Sequence, residues 1–261
     1  MQPPQDVYFS IVVPAYNEAE RLPETLSRMA RYLTSKPFSS ELIVVDDGST
    51  DGTFLTVQQL AARLPVPIAA YRYEKNRGKG FALKVGFEKA VGRYQLFTDA
   101  DLSTPIEEAD RFLEALESGI GLVVGSRRMQ GAEVVVRQPW LRESMGVVFT
   151  AMVRHLFVDV SDITCGFKGF RADVATEIFP RLRIADWSFD AELLFLAHRF
   201  GFPIREVPVR WRNHSDTKVA ILRASIMSLW GLLLIRLNSL RGVYREPLGT
   251  EIDVEEWRSS G

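Results

Sequence analysis

The chain has 261 residues, 46% of them hydrophobic and 25% charged, which suffices for one large or two small domains around a sizeable core. Those proportions exclude a disordered chain, a collagen-like fibre and a polytopic membrane protein. With 32 Lys and Arg against 33 Asp and Glu, the net charge is −1, without the basic excess of a nucleic-acid binder.

Cys165 has no second cysteine to pair with, which fits a reducing compartment. Met1 to Asp6 shows no secretory signal. No stretch reaches the roughly 18 uncharged apolar residues of a spanning helix; the run from Val219 to Ile235 is interrupted by Arg223. A cytoplasmic protein is expected.

The first half alternates strand-like and helix-like segments. Tyr8 to Val13 reads as a short strand ended by Pro14, and Glu18 to Leu33 as a helix. Glu41 to Val45 is a buried strand and Asp51 to Leu64 a helix; Ile68 to Tyr73 is strand-like and Lys79 to Val91 helical. Tyr94 to Thr98 is a strand, Pro105 to Glu117 a helix with a proline at its start, and Leu122 to Val124 a strand. Short apolar runs between amphipathic helices predict an α/β fold with a mostly parallel sheet covered on both faces. In the second half, Pro139 to Val158, Phe189 to Phe200 and Val219 to Leu240 read as helices. Thr164 to Phe170 reads as strand or turn, Ile204 to Trp211 as a strand, and Glu246 to Gly261 as a mobile polar tail. One domain over residues 1–245 is expected, with a regular half near 8–126 and a less regular half near 127–245.

In such sheets ligands bind beyond the carboxyl ends of the strands. Polar clusters fall there: Asn17 with Glu18, Asp46 with Asp47, and Asp99 with Asp101. Each alone reads equally as a turn or helix cap. In an extended turn, residues i and i+2 share a side, so Asp99 and Asp101 could both face one hard cation, which prefers oxygen ligands and accepts substrate phosphates beside them. Asn76-Arg77-Gly78-Lys79-Gly80 is glycine-rich and basic before a helix, suited to a phosphate, or else a plain turn.

These motifs carry a family resemblance. Ile11-Val12-Val13-Pro14-Ala15-Tyr16-Asn17-Glu18 resembles the opening motif of glycosyltransferase family 2, whose inverting members have the GT-A fold. Val45-Asp46-Asp47-Gly48-Ser49-Thr50-Asp51 resembles its second motif, and Asp99-Ala100-Asp101 its metal-binding Asp-x-Asp. Phe97 to Pro105, Thr164-Cys165-Gly166-Phe167-Lys168-Gly169-Phe170 and Trp187-Ser188-Phe189-Asp190-Ala191-Glu192 are similar to dolichyl-phosphate β-glucosyltransferases and related polyprenyl-phosphate transferases. The similarity runs from about Phe9 to Arg245. It departs at the N-terminus, where the eukaryotic enzymes carry a membrane helix.

The resemblance implies roles. Pro14, Ala15, Tyr16 and Glu18 would line the nucleotide-sugar site, with Asp46 and Asp47 on base or ribose, and Lys79, Ala100 and Arg127 near phosphate or sugar. Asp99 and Asp101 would hold Mg²⁺ or Mn²⁺ on the diphosphate. Asp101, Asp162 and Asp190 form the catalytic set, the last two as a base or as groups that orient the acceptor. Asp190 reads equally as a helix N-terminal carboxylate stabilised by the helix dipole. Lys218, in a Ser-Lys segment similar to the family's, and Arg212 would meet the acceptor phosphate.

The implied activity is transfer of glucose from UDP-glucose to a polyprenyl phosphate with inversion. Alternatives are mannosyl transfer from GDP-mannose, a hydroxyl-acceptor transferase, and a nucleotide-sugar-binding scaffold without turnover. From Arg199 to Arg245 nine Lys or Arg face only Glu206 and Asp216, a charge bias suited to an anionic membrane surface. Leu222, Ile226, Leu229, Leu233, Leu237 and Leu240 recur at helical spacing, and the segment from Pro139 to Val158 adds Trp140, Val147, Val148, Phe149 and Phe157. Both helices are expected either to dock on the cytoplasmic face of a bilayer or to pack in a core or oligomer contact.

Overall fold

A computed structural model describes residues 7–136, 140–186, 188–213, 221–248 and 253–259. The elements are β1 (Phe9–Ala15), α1 (Leu22–Thr34), β2 (Ser40–Asp46), α2 (Thr53–Ala61), β3 (Ile68–Arg72), α3 (Lys79–Lys89), β4 (Tyr94–Thr98), α4 (Ala109–Glu117), β5 (Leu122–Ser126) and β6 (Glu133–Val136). There follow α5 (Trp140–Leu156), β7 (Phe167–Arg171), α6 (Ala172–Ile178), α7 (Phe189–Arg199), β8 (Ile204–Pro208), β9 (Arg210–Arg212), α8 (Ile221–Leu240) and β10 (Glu255–Arg258).

Eight strands form one sheet in the order β10-β3-β2-β1-β4-β7-β5-β8. β1 pairs in parallel with β2 and β4, β2 with β3, and β5 with β8. β7 lies antiparallel between β4 and β5, and β10 antiparallel on β3. β6 and β9 form a separate two-stranded ribbon. Alternate residues of the parallel strands feed two cores. Ile11 and Val13 pack with α1, α2 and α4, while Val12, Val45 and Phe97 pack with α3, α5, α6, α7 and α8 on the opposite face. This is the two-sided α/β arrangement that the alternating pattern predicts.

The differences have local causes. The first strand continues through Pro14 to Ala15. Ala15 gives its carbonyl to Asp47 N–H on the β2 side, so Pro14 faces β4, whose pairing has already ended at Val12, and no ladder bond is lost. The expected helix from Glu18 starts only at Leu22, because residues 18–21 form the turn that joins the strand end to α1. The run from Ile204 to Trp211 breaks after Pro208 into β8 and β9, which belong to different sheets.

The expectation of a mobile tail is corrected: β10 extends the main sheet, with Ser259 N–H on the Ile68 carbonyl and Trp257 against the α1–α2 core. The leucine stripe of α8 is not its core face. Leu232 and Ile235 are buried, whereas Leu229, Leu233 and Leu240 of the predicted stripe are exposed; the side chains of Leu222 and Ile226 lie outside the described residues. On α5, Phe149 is a core residue, as is Phe157 just past its end, and Trp140, Val147 and Val148 are exposed.

Candidate active site

The carboxyl ends of β1, β2 and β4 meet at one edge and are tied together by loop hydrogen bonds. After β1, Asn17 takes a left-handed conformation, φ 55°, which lets its N–H reach Ser49 Oγ at 2.9 Å while its side-chain oxygen accepts Thr50 N–H at 2.9 Å. Glu18 N–H donates to Thr53 Oγ1 at 2.9 Å, and Arg21 pairs with the Glu18 carboxylate at 3.1 Å. Tyr16 is half exposed beside this seam.

Asp46 and Asp47 divide their work. Asp46 Oδ1 accepts Ser49 N–H at 2.9 Å; Oδ2 is buried with no hydrogen bond among the described residues, and Arg72 Nε stands 3.6 Å away. Asp47 accepts the Tyr73 hydroxyl at 2.8 Å, Arg77 N–H at 2.6 Å and Gly78 N–H at 2.9 Å. Burial pushes its carboxyl pKa up, against the pull of those donors. Asp47 therefore anchors the glycine-rich loop, and the loop aims Lys79 inward. Gly78 is required there: its φ is 98°, and a Cβ would meet the Ala185 carbonyl at 2.5 Å.

Lys79 Nζ lies 2.5 Å from Asp99 Oδ1. Burial pulls the lysine pKa down, but the carboxylates of Asp99 and Asp190 overcome it and hold it above the ordinary value. Past β4 the chain turns sharply, with Leu102 at φ 46°, a costly conformation for a leucine. The turn is closed by Leu102 N–H on the Asp99 carbonyl at 3.1 Å and by Ser103 N–H on Asp101 Oδ1 at 2.9 Å, and Thr25 Oγ1 braces the Ala100 carbonyl at 2.6 Å. Asp99 Oδ2 rests against Gly166, where any Cβ would overlap the carboxylate.

Behind this pair lies a second one. Lys168, fully buried on β7, donates to Asp190 Oδ1 at 2.6 Å and to the Cys165 carbonyl at 2.7 Å. Asp190 sits in the first turn of α7 and is also buried; burial raises its pKa despite Lys168 and Lys79. Both ammonium groups approach the Phe97 ring, at 5.4 Å for Lys79 and 5.3 Å for Lys168. Asp99, Lys79, Asp190 and Lys168 thus alternate in sign across the site. In the sequence Lys168 stands out only as part of the Thr164–Phe170 motif. The available signal was a lone cation in the run Gly166-Phe167-Lys168-Gly169-Phe170, whose neighbours belong in a buried strand.

Asp162 is fully buried and grips Arg127. It accepts Arg127 N–H at 2.9 Å, Nε at 2.7 Å and Nη2 at 2.7 Å, a forked pair. Burial alone would raise the Asp162 pKa, yet Arg127 holds it below the usual carboxylate value; burial likewise opposes the arginine charge, and Asp162 holds that pKa up. Arg127 also donates to Thr164 Oγ1 at 3.0 Å and stands over the Trp211 ring at 5.1 Å. A carboxylate so engaged is a poor proton acceptor. Arg212 is exposed, and its N–H bonds the Ser103 carbonyl at 2.8 Å, so the ribbon strand β9 borders the Asp99–Ser103 turn. Lys218 lies outside the described residues.

Among the described residues, no helix is long and apolar enough to cross a membrane. Exposed apolar side chains are present on α5 (Trp140, Val147, Val148), on α8 (Leu229, Trp230, Leu233) and on β6 (Val135, Val136), with others scattered singly, such as Leu55 and Val91.

Comparison with known proteins agrees with this architecture. The family model described as Glycosyl transferase family 2 matches residues 10–179. The chain is 34% identical over 255 residues to the dolichyl-phosphate beta-glucosyltransferase of Dictyostelium discoideum, covering 93% of this chain and 78% of that protein. The Homo sapiens protein of that name is 31% identical over 249 residues, covering 90% and 77%. Among solved structures, glucosyl-3-phosphoglycerate synthase from Mycobacterium tuberculosis, in complex with Mn²⁺, UDP-glucose and phosphoglyceric acid, superposes with a TM-score of 0.68 at 19% identity over 97% of this chain and 88% of that one. Mannosyl-3-phosphoglycerate synthase from Rubrobacter xylanophilus gives 0.67 at 16% identity, covering 95% and 79%. The fold is GT-A, and the chain belongs to glycosyl transferase family 2.

Proposed function

We propose that this protein transfers glucose from UDP-glucose to a polyprenyl phosphate, with inversion, to give a β-linked polyprenyl-phosphate glucose. One observation carries the reading: Asp99 and Asp101 share a turn at the end of β4, with Lys79 on Asp99 and the loops of Ala15 and Asp47 alongside. The choice of sugar and acceptor is supported by the curated relatives, which carry the name dolichyl-phosphate beta-glucosyltransferase.

The donor's nucleotide would lie across the ends of β1 and β2, against Pro14, Ala15 and Tyr16. The orphaned Asp46 Oδ2 offers an acceptor for a ribose hydroxyl or base N–H. Asp47 would act by holding the Gly78–Lys79 loop in place. Two hard carboxylates on one turn fit Mg²⁺ or Mn²⁺, which commonly takes one or two carboxylates and fills its shell with phosphate oxygens and water. Such an ion supplies charge neutralisation on the departing diphosphate. Lys79 adds a second positive charge at the same place.

The acceptor phosphate oxygen attacks the anomeric carbon from the side opposite the leaving group; the bond to UDP breaks and UDP departs with its electron pair. A phosphate monoester has its second ionisation near pH 6 and is largely dianionic at neutral pH, so no strong base is needed. Asp190, already committed to Lys168, would orient rather than deprotonate. Arg127, stiffened by Asp162, and Arg212, beside Ser103, are the cations suited to the acceptor phosphate or sugar, with Lys218 a further candidate. The exposed apolar faces of α5 and α8 would rest on the cytoplasmic face of the membrane that holds the acceptor.

The test is incubation of UDP-glucose, GDP-mannose and other nucleotide sugars with polyprenyl phosphate and Mg²⁺, with the lipid product identified by mass. Polyprenyl-phosphate hexose from UDP-glucose is expected. A product only from GDP-mannose, or only with hydroxyl acceptors, would overturn the assignment.

A further inference from the structure

A cavity of about 260 Å³ opens beside the start of α3, lined by Arg77, Lys84 and Arg183 together with Phe81, Ala185 and Leu248. Arg77 and Gly80 of its wall flank Lys79, but Lys79 itself points to Asp99. The close partners of these three cations are neutral, while carboxylates act on two of them from further off, Glu88 and Glu192 on Lys84 and Glu192 on Arg183. Lys84, 96% buried by its 4% exposure, donates to the Leu248 carbonyl. Arg183 donates to the carbonyls of Pro180 and Leu182 at 3.1 and 3.3 Å and to those of Val243 and Glu246 at 3.2 and 2.8 Å. The Arg77 guanidinium lies 4.7 Å over the Phe81 ring.

Glu192 approaches this region but is occupied: it accepts Arg183 N–H, Ile184 N–H and the Tyr244 hydroxyl. Neutral partners satisfy hydrogen bonds without cancelling charge, so three cations line a wall that contains no carboxylate, with Glu88 and Glu192 behind it offsetting part of that charge. Burial lowers the pKa of both Lys84 and Arg183, outweighing the nearby carboxylates of Glu88 on Lys84 and of Glu192 on both. An ammonium also has three donors, and Lys84 uses one on Leu248.

We propose that this cavity binds a phosphate or diphosphate group through Arg77, Lys84 and Arg183, at a place separate from the Asp99–Asp101 turn. The site stands on its own residues and does not rest on the sugar or acceptor proposed above. An anion held there would bridge the glycine-rich loop to the 183–185 segment, which already accepts Gly80 N–H at the Ala185 carbonyl, 2.9 Å. It would thus stiffen the loop that presents Lys79.

Isothermal titration of the full chain with inorganic phosphate and with pyrophosphate, at fixed ionic strength and without divalent metal, tests this. Wild-type protein is expected to bind one anion, and Arg77→Gln and Arg183→Gln to lose roughly tenfold or more in affinity through missing charge-assisted hydrogen bonds. Lys79→Gln should leave the affinity unchanged, and amide exchange of residues 77–80 should slow on binding. Arg77 is exposed, so its variant reports even where Arg183→Gln fails to fold. Absence of binding in the wild type overturns the proposal. So does loss in Lys79→Gln with full binding in Arg77→Gln, or displacement of the anion by UDP-glucose with Mn²⁺, either of which places the anion in the donor site.

Discussion

Lys79 Nζ stands 2.5 Å from Asp99 Oδ1, so one carboxylate is shared between a lysine and the divalent ion proposed for this turn. Like charges compete for it, while both assist the same diphosphate. Lys79→Met is therefore expected to strengthen Mn²⁺ binding in nucleotide-free protein and to weaken UDP-glucose binding by roughly tenfold or more. Paramagnetic titration of Mn²⁺ and calorimetry of the donor measure the two. Parallel loss of both affinities would contradict the sharing.

Gly166 fixes where Asp99 Oδ2 can lie, since a methyl group there overlaps the carboxylate. Gly166→Ala is expected to displace Asp99 and lower kcat by about a hundredfold, the cost of a misplacement near 1 Å. Circular dichroism should stay native, because Asp99 is partly exposed and has room to swing. Unchanged turnover would show that this approach has no catalytic consequence.

Asp190 and Lys168 form a buried ion pair. Lys168→Met removes the directly bonded cation from the buried carboxylate, leaving only the more distant Lys79, and should cost about 3 kcal/mol of stability. Asp190→Asn keeps the shape and removes the charge. With a phosphate acceptor, the acid limb of the pH–rate profile belongs to the acceptor's second ionisation, near pH 6. That limb is expected to survive in Asp190→Asn even as kcat falls. Its disappearance would make Asp190 a base.

Glu192 gives a prediction about pH and stability. Burial pushes its pKa up to about 7 from 4.5, against the hydrogen bonds from Tyr244, Ile184 and Arg183. A carboxyl whose pKa is higher in the folded chain binds protons preferentially there. Its stabilisation is complete below the unfolded value of 4.5 and is lost as pH rises through about 7. Urea unfolding compared at about pH 5 and about pH 8 should show Glu192→Gln with a smaller loss of stability than the wild type. An equal loss in both would remove Glu192 as the titrating group.

Val148 and Trp230 are exposed apolar residues on α5 and α8. Val148→Asp and Trp230→Glu, singly or together, should weaken binding to anionic liposomes and raise KM for a lipid acceptor, with little change in thermal stability. Retention of full liposome binding by the double variant would move the membrane contact elsewhere.

Much of this architecture was legible in the sequence, because parallel strands covered on both faces are short apolar runs and their helices are amphipathic. The polar clusters at Asn17, Asp46 and Asp99 fall at strand ends for the same reason. What escaped depends on contacts distant in the chain. β7 enters antiparallel between β4 and β5, β10 returns to β3 from the far end, and β9 leaves the strand it seemed to continue. The pairing of Lys168 with Asp190 and of Arg127 with Asp162 spans 22 and 35 residues, so no local spacing announces either. On α8 apolar residues surround most of the helix, and only packing reveals that Leu232 and Ile235, rather than Leu229 and Leu233, face inward.

Glucose transfer as proposed requires the turn after β4 to hold a divalent ion on the donor diphosphate. Among the described residues no group of three or more acidic, His or Cys side chains could hold an ion, so binding should depend on the nucleotide. The direct measurement is Mn²⁺ paramagnetic resonance with and without UDP-glucose in wild type, Asp99→Asn and Asp101→Asn. One ion should be taken up with the donor by the wild type, with uptake and glucose transfer abolished in both variants. Donor-dependent Mn²⁺ uptake and transfer at wild-type levels in either variant would contradict it.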